Sequence, residues 1–374
     1  MTEKGYTENI DKSTEKDLTQ VGGVLAQPLK KKAKARVFKL PNIKALQQNV
    51  KKYIIGQDKA VDRIVLAIYR SLKIQTIKTN ILVIGKSGSG KTETMKQIAN
   101  ALKLPYTIED ATKFTKEGYV GKDVEEMVYN LFDNAMGDLK KAERGMLIID
   151  EIDKKINSDQ QSDISGKDVL NSLLKIVEGT KVTFGGEEFG MQDLLPEYID
   201  TSKMVVVFMG AFSGIEEERK KRLRKGPKHI GFGEETESAE TTVVQDERYT
   251  KEDLIAYGMP IEFAGRIDTI VEFEQLTKES LAQIAKNSKL SIFRKYEKYL
   301  AQSGIVLEYE DSIFEDIAKK AITKNTGARE ISNVVNELFE PILYKVFTCE
   351  KGEYTKCILD KTFVQSPETG YKLI

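Results

Sequence analysis

Cysteine and histidine are nearly missing: the 374 residues hold two cysteines, Cys349 and Cys357, and one histidine, His229. That inventory cannot build a four-ligand zinc site, so no zinc is expected. It is also too small for a disulfide framework, which points to a reducing, cytoplasmic setting. Apolar runs are short, and none approaches the roughly 18 residues that a membrane span requires. The opening "MTEKGYTENIDKSTEKD" has no hydrophobic signal segment. An excess of either charge is absent too, since Lys plus Arg and Asp plus Glu number 58 each. No global signature for binding a polyanion or a membrane follows, and nucleic acid is not expected as a partner. What remains, 40% apolar and 31% charged residues, suits a soluble intracellular protein with room for two domains and a tail.

Residues 1–40 read as that tail, flexible and solvated, with the basic stretch "LKKKAKARVFK" near its end. From about Ile43 the pattern becomes regular. "NIKALQQNVKKYI" and "QDKAVDRIVLAIYRSLK" carry apolar residues at helical spacing. Four short apolar runs read as buried strands: Ile81–Ile84, Met146–Ile149, Met204–Phe208 and Thr269–Phe273. A helix is predicted over "VEEMVYNLFDNAMGDL", with Val124, Met127, Val128, Leu131 and Ala135 on one face. Buried strands alternating with helices predict an α/β fold, a mostly parallel sheet covered on both sides. The first domain is expected over 41–275. A smaller, mainly helical domain is expected over 276–374, opening with one long helix, "TKESLAQIAKNSKLSIFRKYEKYLAQ". After it come a strand "GIVLEYE", helices "DSIFEDIAKKAIT" and "GAREISNVVNELFEPILYKVF", and short strands "KCIL" and "GYKLI".

"GKSGSGKT", Gly85 to Thr92, follows the first strand and precedes a helix, the setting in which G-x-x-x-x-G-K-[ST] is a phosphate-binding loop. Glycines allow successive backbone N–H groups to turn toward phosphate oxygens, and the helix N-terminus adds partial positive charge. Lys91 is expected on the β- and γ-phosphates, and the Thr92 hydroxyl on Mg²⁺. "GMLIIDEID" brings a strand to the sheet edge, with Asp150 facing the Mg²⁺ shell and Glu151 placed to orient and deprotonate a water. That adjacent pair favours hydrolysis over a nucleotide switch. Arg266 in "EFAGRID" and Arg329 in "TGAREIS" are candidates for charge compensation at the γ-phosphate. An arginine alone at either place is more often a surface ion pair; the company of the phosphate motifs changes that weighting. The stretch "KGPKHIGFGEE" sets Ile230 and Phe232 among glycines and charges, in a loop that no helix or strand pattern would bury.

These residues resemble the AAA+ ATPases, and among them the ClpX-type unfoldases, over about Pro41 to Phe347. The markers are "YIIGQDKA", "GKSGSGKT", "EGYVGKDVE", "GMLIIDEIDK", "SGKDVLNSLLKIVEGT", "TSKMVVVFMGAFSGIE", "HIGFG", "PIEFAGRID" and "TGAREIS". The resemblance implies a P-loop AAA+ module and ATP with Mg²⁺ as cofactors. Ile54, Ile55, Gly56 and Gln57 would border the adenine. Gly85, Ser87, Gly88, Ser89, Gly90, Lys91 and Thr92 would bind the phosphates. Thr92, and Asp150 through water, would hold the metal. Glu151 would activate water, Arg266 would act in trans as an arginine finger, and Arg329 in cis as a sensor. Tyr119 and Val120 match the pore loop that grips a translocating polypeptide, and 162–169 a second pore loop. Ile230, Gly231 and Phe232 match the loop that docks on the ClpP peptidase. Implied partners are five further copies in a homohexamer, a ClpP-type peptidase, and unfolded or tagged protein substrates.

The chain departs from the family in three places. No cysteine stands before the ATPase domain, so the usual four-cysteine zinc domain is not expected. The segment "KVTFGGEEFGMQDLLPEYIDTSK" is acidic where a basic Arg-Lys-His loop is usual. The end of "MVVVFM" offers no Asn or Thr, so no sensor-1 residue is assigned. Three other readings stay open. An HslU-like unfoldase would need a longer insertion between the nucleotide motifs and the finger. An AAA+ nucleic-acid remodeller has only the basic tail in its favour. A remodelling chaperone without a peptidase is opposed by the intact Ile-Gly-Phe.

Overall fold

A computed structural model describes residues 40–74, 76–114, 124–156, 164–183, 196–224, 248–324, 327–350 and 352–374, all within one compact unit, Leu40–Ile374. Tyr119, Val120, Ile230, Gly231 and Phe232 lie outside the described residues, as do the tail up to 39, residues 184–195 of the acidic segment and residues 162–163 of the second pore-loop candidate.

Two helices open it, α1 (Ile43–Lys51) and α2 (Asp58–Lys73). The Asn42 side chain accepts from the N–H groups of Lys44 and Ala45, satisfying donors that a helix start leaves over. α2 buries Val61, Ile64, Val65, Ile68 and Leu72 along one stripe. Strand β1 (Thr79–Ile84) leads into α3 (Lys91–Leu102), and β2 (Tyr106–Asp110) precedes α4 (Val124–Asn134) and α5 (Leu139–Ala142). β3 (Met146–Asp150) is followed by α6 (Asp153–Ile156) and α7 (Ile164–Glu178). A two-stranded ribbon, β4 (Lys181–Thr183) with β5 (Tyr198–Asp200), precedes β6 (Val205–Gly210). Helices α8 (Ile215–Arg224), α9 (Lys251–Ala256) and α10 (Ile261–Gly265) then lead to β7 (Thr269–Glu272).

Five strands make one parallel sheet in the order β2-β3-β6-β1-β7. Alternation along each strand divides the core between the two faces. Ile81, Val83, Ile148, Val205 and Val207 pack with α1, α2 and α3. Leu82, Leu147, Ile149, Val206 and Phe208 pack with α4 and α7. All four apolar runs are strands of this sheet. The helix predicted over 124–139 stops at Asn134, because Met136 and Gly137 take positive φ, 55° and 71°.

Residues from Leu276 onward pack into a core of their own. Its elements are α11 (Lys278–Asn287), α12 (Ile292–Gln302), β8 (Val306–Glu308), α13 (Ser312–Thr323), α14 (Ala328–Thr348), β9 (Lys356–Leu359) and β10 (Tyr371–Leu373). Phe293 is the hub, in edge-on contact with Tyr309, Phe314 and Phe339. The single long helix expected at its start is two helices. Ser288 is extended (φ −63°, ψ 136°), and the Ser291 hydroxyl accepts from Arg294 N–H and donates to Ala285 O. Serine hydroxyls offer the backbone partners outside the helix, and two of them three residues apart break it. Among the described residues no helix is long and apolar enough to cross a membrane.

Candidate nucleotide site

A cavity of about 560 Å³ opens at the C-terminal ends of β1 and β3, the sheet edge where α/β folds place ligands. Its floor is the loop between β1 and α3. Gly88 and Gly90 have φ of 76° and 99°, conformations that glycine adopts without steric cost. Lys91 is buried and its Nζ donates to Gly85 O at 2.5 Å and Lys86 O at 3.2 Å. Burial holds the Lys91 pKa below the usual lysine value, while Asp150 and Asp153 oppose that shift. Arg329 pushes it in the same direction as burial.

The Thr92 hydroxyl donates to Asp150 Oδ2 at 3.0 Å, so the two proposed metal-side residues already touch. Asp150 Oδ1 accepts from Glu151 N–H at 2.9 Å. Glu151 has φ 58° and is exposed on the cavity wall. The next residue returns to the sheet, Ile152 N–H donating to Met209 O at 3.1 Å. Asp153, absent from the sequence-based site, is 4% exposed and also lines the cavity. Its Oδ2 accepts from Phe212 N–H at 3.1 Å, and its Oδ1 has no bonding partner among the described residues. Gly210 makes room for it, since a Cβ there would come within 2.5 Å of that oxygen.

The remaining predicted residues divide. Ile54 and Ile55 line the cavity beside Tyr53. Gly56 and Gln57 do not. Gln57 is buried, and its amide donates to Ser89 O (3.2 Å) and Glu274 O (2.8 Å) while accepting from Glu274 N–H (3.1 Å). It bolts the phosphate loop to the chain leaving β7. Gly85 lies against Phe273, where a Cβ would meet the phenylalanine Cβ at 2.7 Å. The opposite wall comes from the C-terminal elements: Leu276, Ile284, Ser288 and Ile292. The Ser288 hydroxyl donates to Tyr53 O at 2.8 Å, and Lys289 N–H to Lys52 O at 3.1 Å, closing that wall onto the strip 52–55.

Arg329 lines the cavity from the first turn of α14. That turn rests directly on the phosphate loop, Ala328 N–H donating to Gly88 O at 3.0 Å. A Cβ on Gly327 would fall 2.6 Å from Gly88 O, so only glycine fits there. Arg266 is not on the cavity wall; its Nη2 pairs with Glu178 Oε1 at 2.5 Å. Sequence spacing singled out the phosphate loop, Asp150, Glu151 and Arg329. It assigned no role to Tyr53, Ser288 or Gly327, although Tyr53 and Gly327 stand within the quoted markers, because their contacts come from the fold. The second acid of "DEID" was the available hint for Asp153.

The residues present fit a nucleoside triphosphate with a divalent metal. The glycine cradle, the buried lysine, the Thr92–Asp150 pair and the buried Ser89 hydroxyl, unpartnered among the described residues, form a donor-rich pocket beside an apolar slot.

Residues 77–270 match the family model described as the AAA domain (Cdc48 subfamily). Residues 276–356 match the model of the C-terminal, D2-small domain of ClpB protein. The chain is 36% identical over 341 residues to the ATP-dependent Clp protease ATP-binding subunit ClpX 2 of Wolinella succinogenes, covering 87% of this chain and 82% of that one. With its nucleotide cavity built from both matched parts, the chain is an AAA+ ATPase and belongs to the ClpX family.

Proposed function

We propose that this ATPase works as a homohexamer that threads unfolded or tagged proteins through its pore and passes them to a ClpP-type peptidase in the cytoplasm. Residues 41–275 serve as the large ATPase domain and 276–374 as the small one. The contact between Thr92 and Asp150 beside the outward-turned Glu151, over a buried Lys91, supports the hydrolytic part of this reading, and the likeness to the ClpX subunit supports the rest. Bound ATP with Mg²⁺ supplies the phosphoanhydride bond whose cleavage drives the work.

Gly85 to Thr92 hold the phosphates, with Lys91 as their cation, and Thr92 and Asp150 hold the metal, Asp150 through water. Glu151 orients the attacking water and takes its proton. Arg329 compensates charge in cis, and Arg266 does so from the neighbouring subunit. Tyr119 and Val120 grip the polypeptide, and Ile230, Gly231 and Phe232 dock on the peptidase. Each docking contact is modest, and six on one ring gain by effective concentration.

Glu151→Gln keeps the shape and removes the base. ATP binding and assembly are expected to persist while turnover falls about 10²–10⁴-fold. Used as bait in a native extract, this variant should retain substrates and a peptidase, identified by mass spectrometry. Normal turnover would remove Glu151 from the chemical step. Capture of substrates with no peptidase would favour the remodelling chaperone.

A further inference from the structure

Arg266 stands off the cavity of its own subunit, and a rigid frame lies beneath it. Asn80, buried in β1, donates through Nδ2 to Arg266 O at 3.0 Å and to Val177 O at 3.2 Å. Its N–H donates to Asp268 Oδ2 at 2.8 Å. One side-chain amide therefore ties Arg266 and the residue before Glu178 to the same strand. The end of α7 is fixed independently. Gly179 takes φ 89°, and a Cβ on it would lie 2.8 Å from Ser202 Cα. The buried Thr201 hydroxyl accepts from Thr180 N–H at 2.9 Å and donates to Thr180 O at 3.0 Å.

On this frame Glu178 Oε1 meets Arg266 Nη2 at 2.5 Å, with the two side chains 45% and 54% exposed. An ion pair so open to solvent contributes little to folding. Its effect is on direction. A guanidinium has five N–H donors in a fixed fork, and engaging one at Glu178 sets where the others point.

We propose that Glu178 is a positioning residue for Arg266, holding the guanidinium at the surface so that its remaining donors meet the phosphates bound by a neighbouring subunit. This rests on the reading of Arg266 as a residue that acts in trans. Glu178 is the last residue of α7, and the first turn of that helix falls in the segment matched to the second pore loop. The aim of the arginine is thereby tied to the helix that begins in that segment.

The test uses assembled full-length protein. Glu178→Ala is expected to lower kcat about 10- to 100-fold, the scale of a misplaced catalytic group, with KM for ATP unchanged. Added to Arg266→Ala, it should cause no further loss. Mixed with Glu151→Gln subunits, it should regain ATPase activity, because its intact site then faces an undisturbed arginine. Arg266→Ala mixed with Glu151→Gln runs in parallel. No recovery in that arm removes the trans role of Arg266 and the proposal with it. Recovery there without recovery for Glu178→Ala overturns the proposal alone, as does an additive loss in the double variant. Glu178→Lys, an exposed charge reversal, guards against a folding failure of the alanine variant. It should lose more kcat than alanine does, and wild-type kcat in it would sink the idea.

Discussion

Glu151 occupies the left-handed region at φ 58° although it is not glycine, a conformation that costs about 1–3 kcal/mol. The strain is held by neighbours on both sides, the Asp150 carboxylate on its N–H and the Ile152 bond to Met209 after it. Its outcome is a carboxylate turned out of the strand and into the cavity. Lys78 shows another local conflict, at the opposite end of β1. Its ammonium donates to Thr201 O, and burial pushes its pKa down to about 7 against the pull of Asp200 and Asp268. The unfolded chain keeps that proton up to about pH 10.5, whereas the folded chain releases it near 7. Unfolding between these values takes up a proton, so this lysine favours the fold as pH rises through the window and opposes it as pH falls. Chemical denaturation of Lys78→Met should show a flatter rise in stability from pH 7 to 10 than the wild type. Equal slopes would mean that Lys78 keeps an ordinary lysine pKa.

At the scale of elements, the contact between α14 and the phosphate loop is a tightly constrained joint in the site. Gly327 combines φ 66° with a neighbour too close for any Cβ. Gly327→Ala should therefore lift α14 and carry Arg329 away from the cavity. The expected cost is about 1–3 kcal/mol in stability, with KM for ATP raised more than kcat is lowered. An unchanged KM, measured by steady-state ATPase assay, would show that the joint tolerates displacement. How far elements were legible followed from how each is buried. β1, β3 and β6 are covered on both faces and read as unbroken apolar runs. β2, "YTIED", is an edge strand with only Thr107 buried among its five residues, so it carries no such run and was missed. The break between α11 and α12 depends on the Ser288 and Ser291 hydroxyls finding backbone partners, which helical spacing does not register. The phosphate loop and Asp150–Glu151 were legible because their chemistry is contiguous in sequence. Glu178, Asn80 and Ser288 were not, because strand order alone decides what lies beside them.

For the whole molecule, grip, hydrolysis and peptidase contact are assigned to separate segments, so each step should fail without loss of the steps before it. Tyr119→Ala is expected to keep substantial ATPase activity while losing unfolding of a stable substrate. Phe232→Ala should keep both and lose only peptidase-coupled degradation. Assays of ATP turnover, loss of a folded fluorescent substrate and peptide release, run on both variants, separate the three. Unfolding at the wild-type rate by Tyr119→Ala would remove that residue from the pore, and undiminished degradation by Phe232→Ala would remove the other from docking.

The bare glycine contact beneath α14 has a mechanical corollary. With no side chain between Gly327 and Gly88, the helix has a fulcrum rather than a cushion. Its 21 residues span about 30 Å at 1.5 Å per residue, so a tilt of about 10° at the fulcrum swings the far end by about 5 Å. A rigid tilt of that size would move the far end by about one and a half residues of extended chain, each spanning about 3.3–3.6 Å.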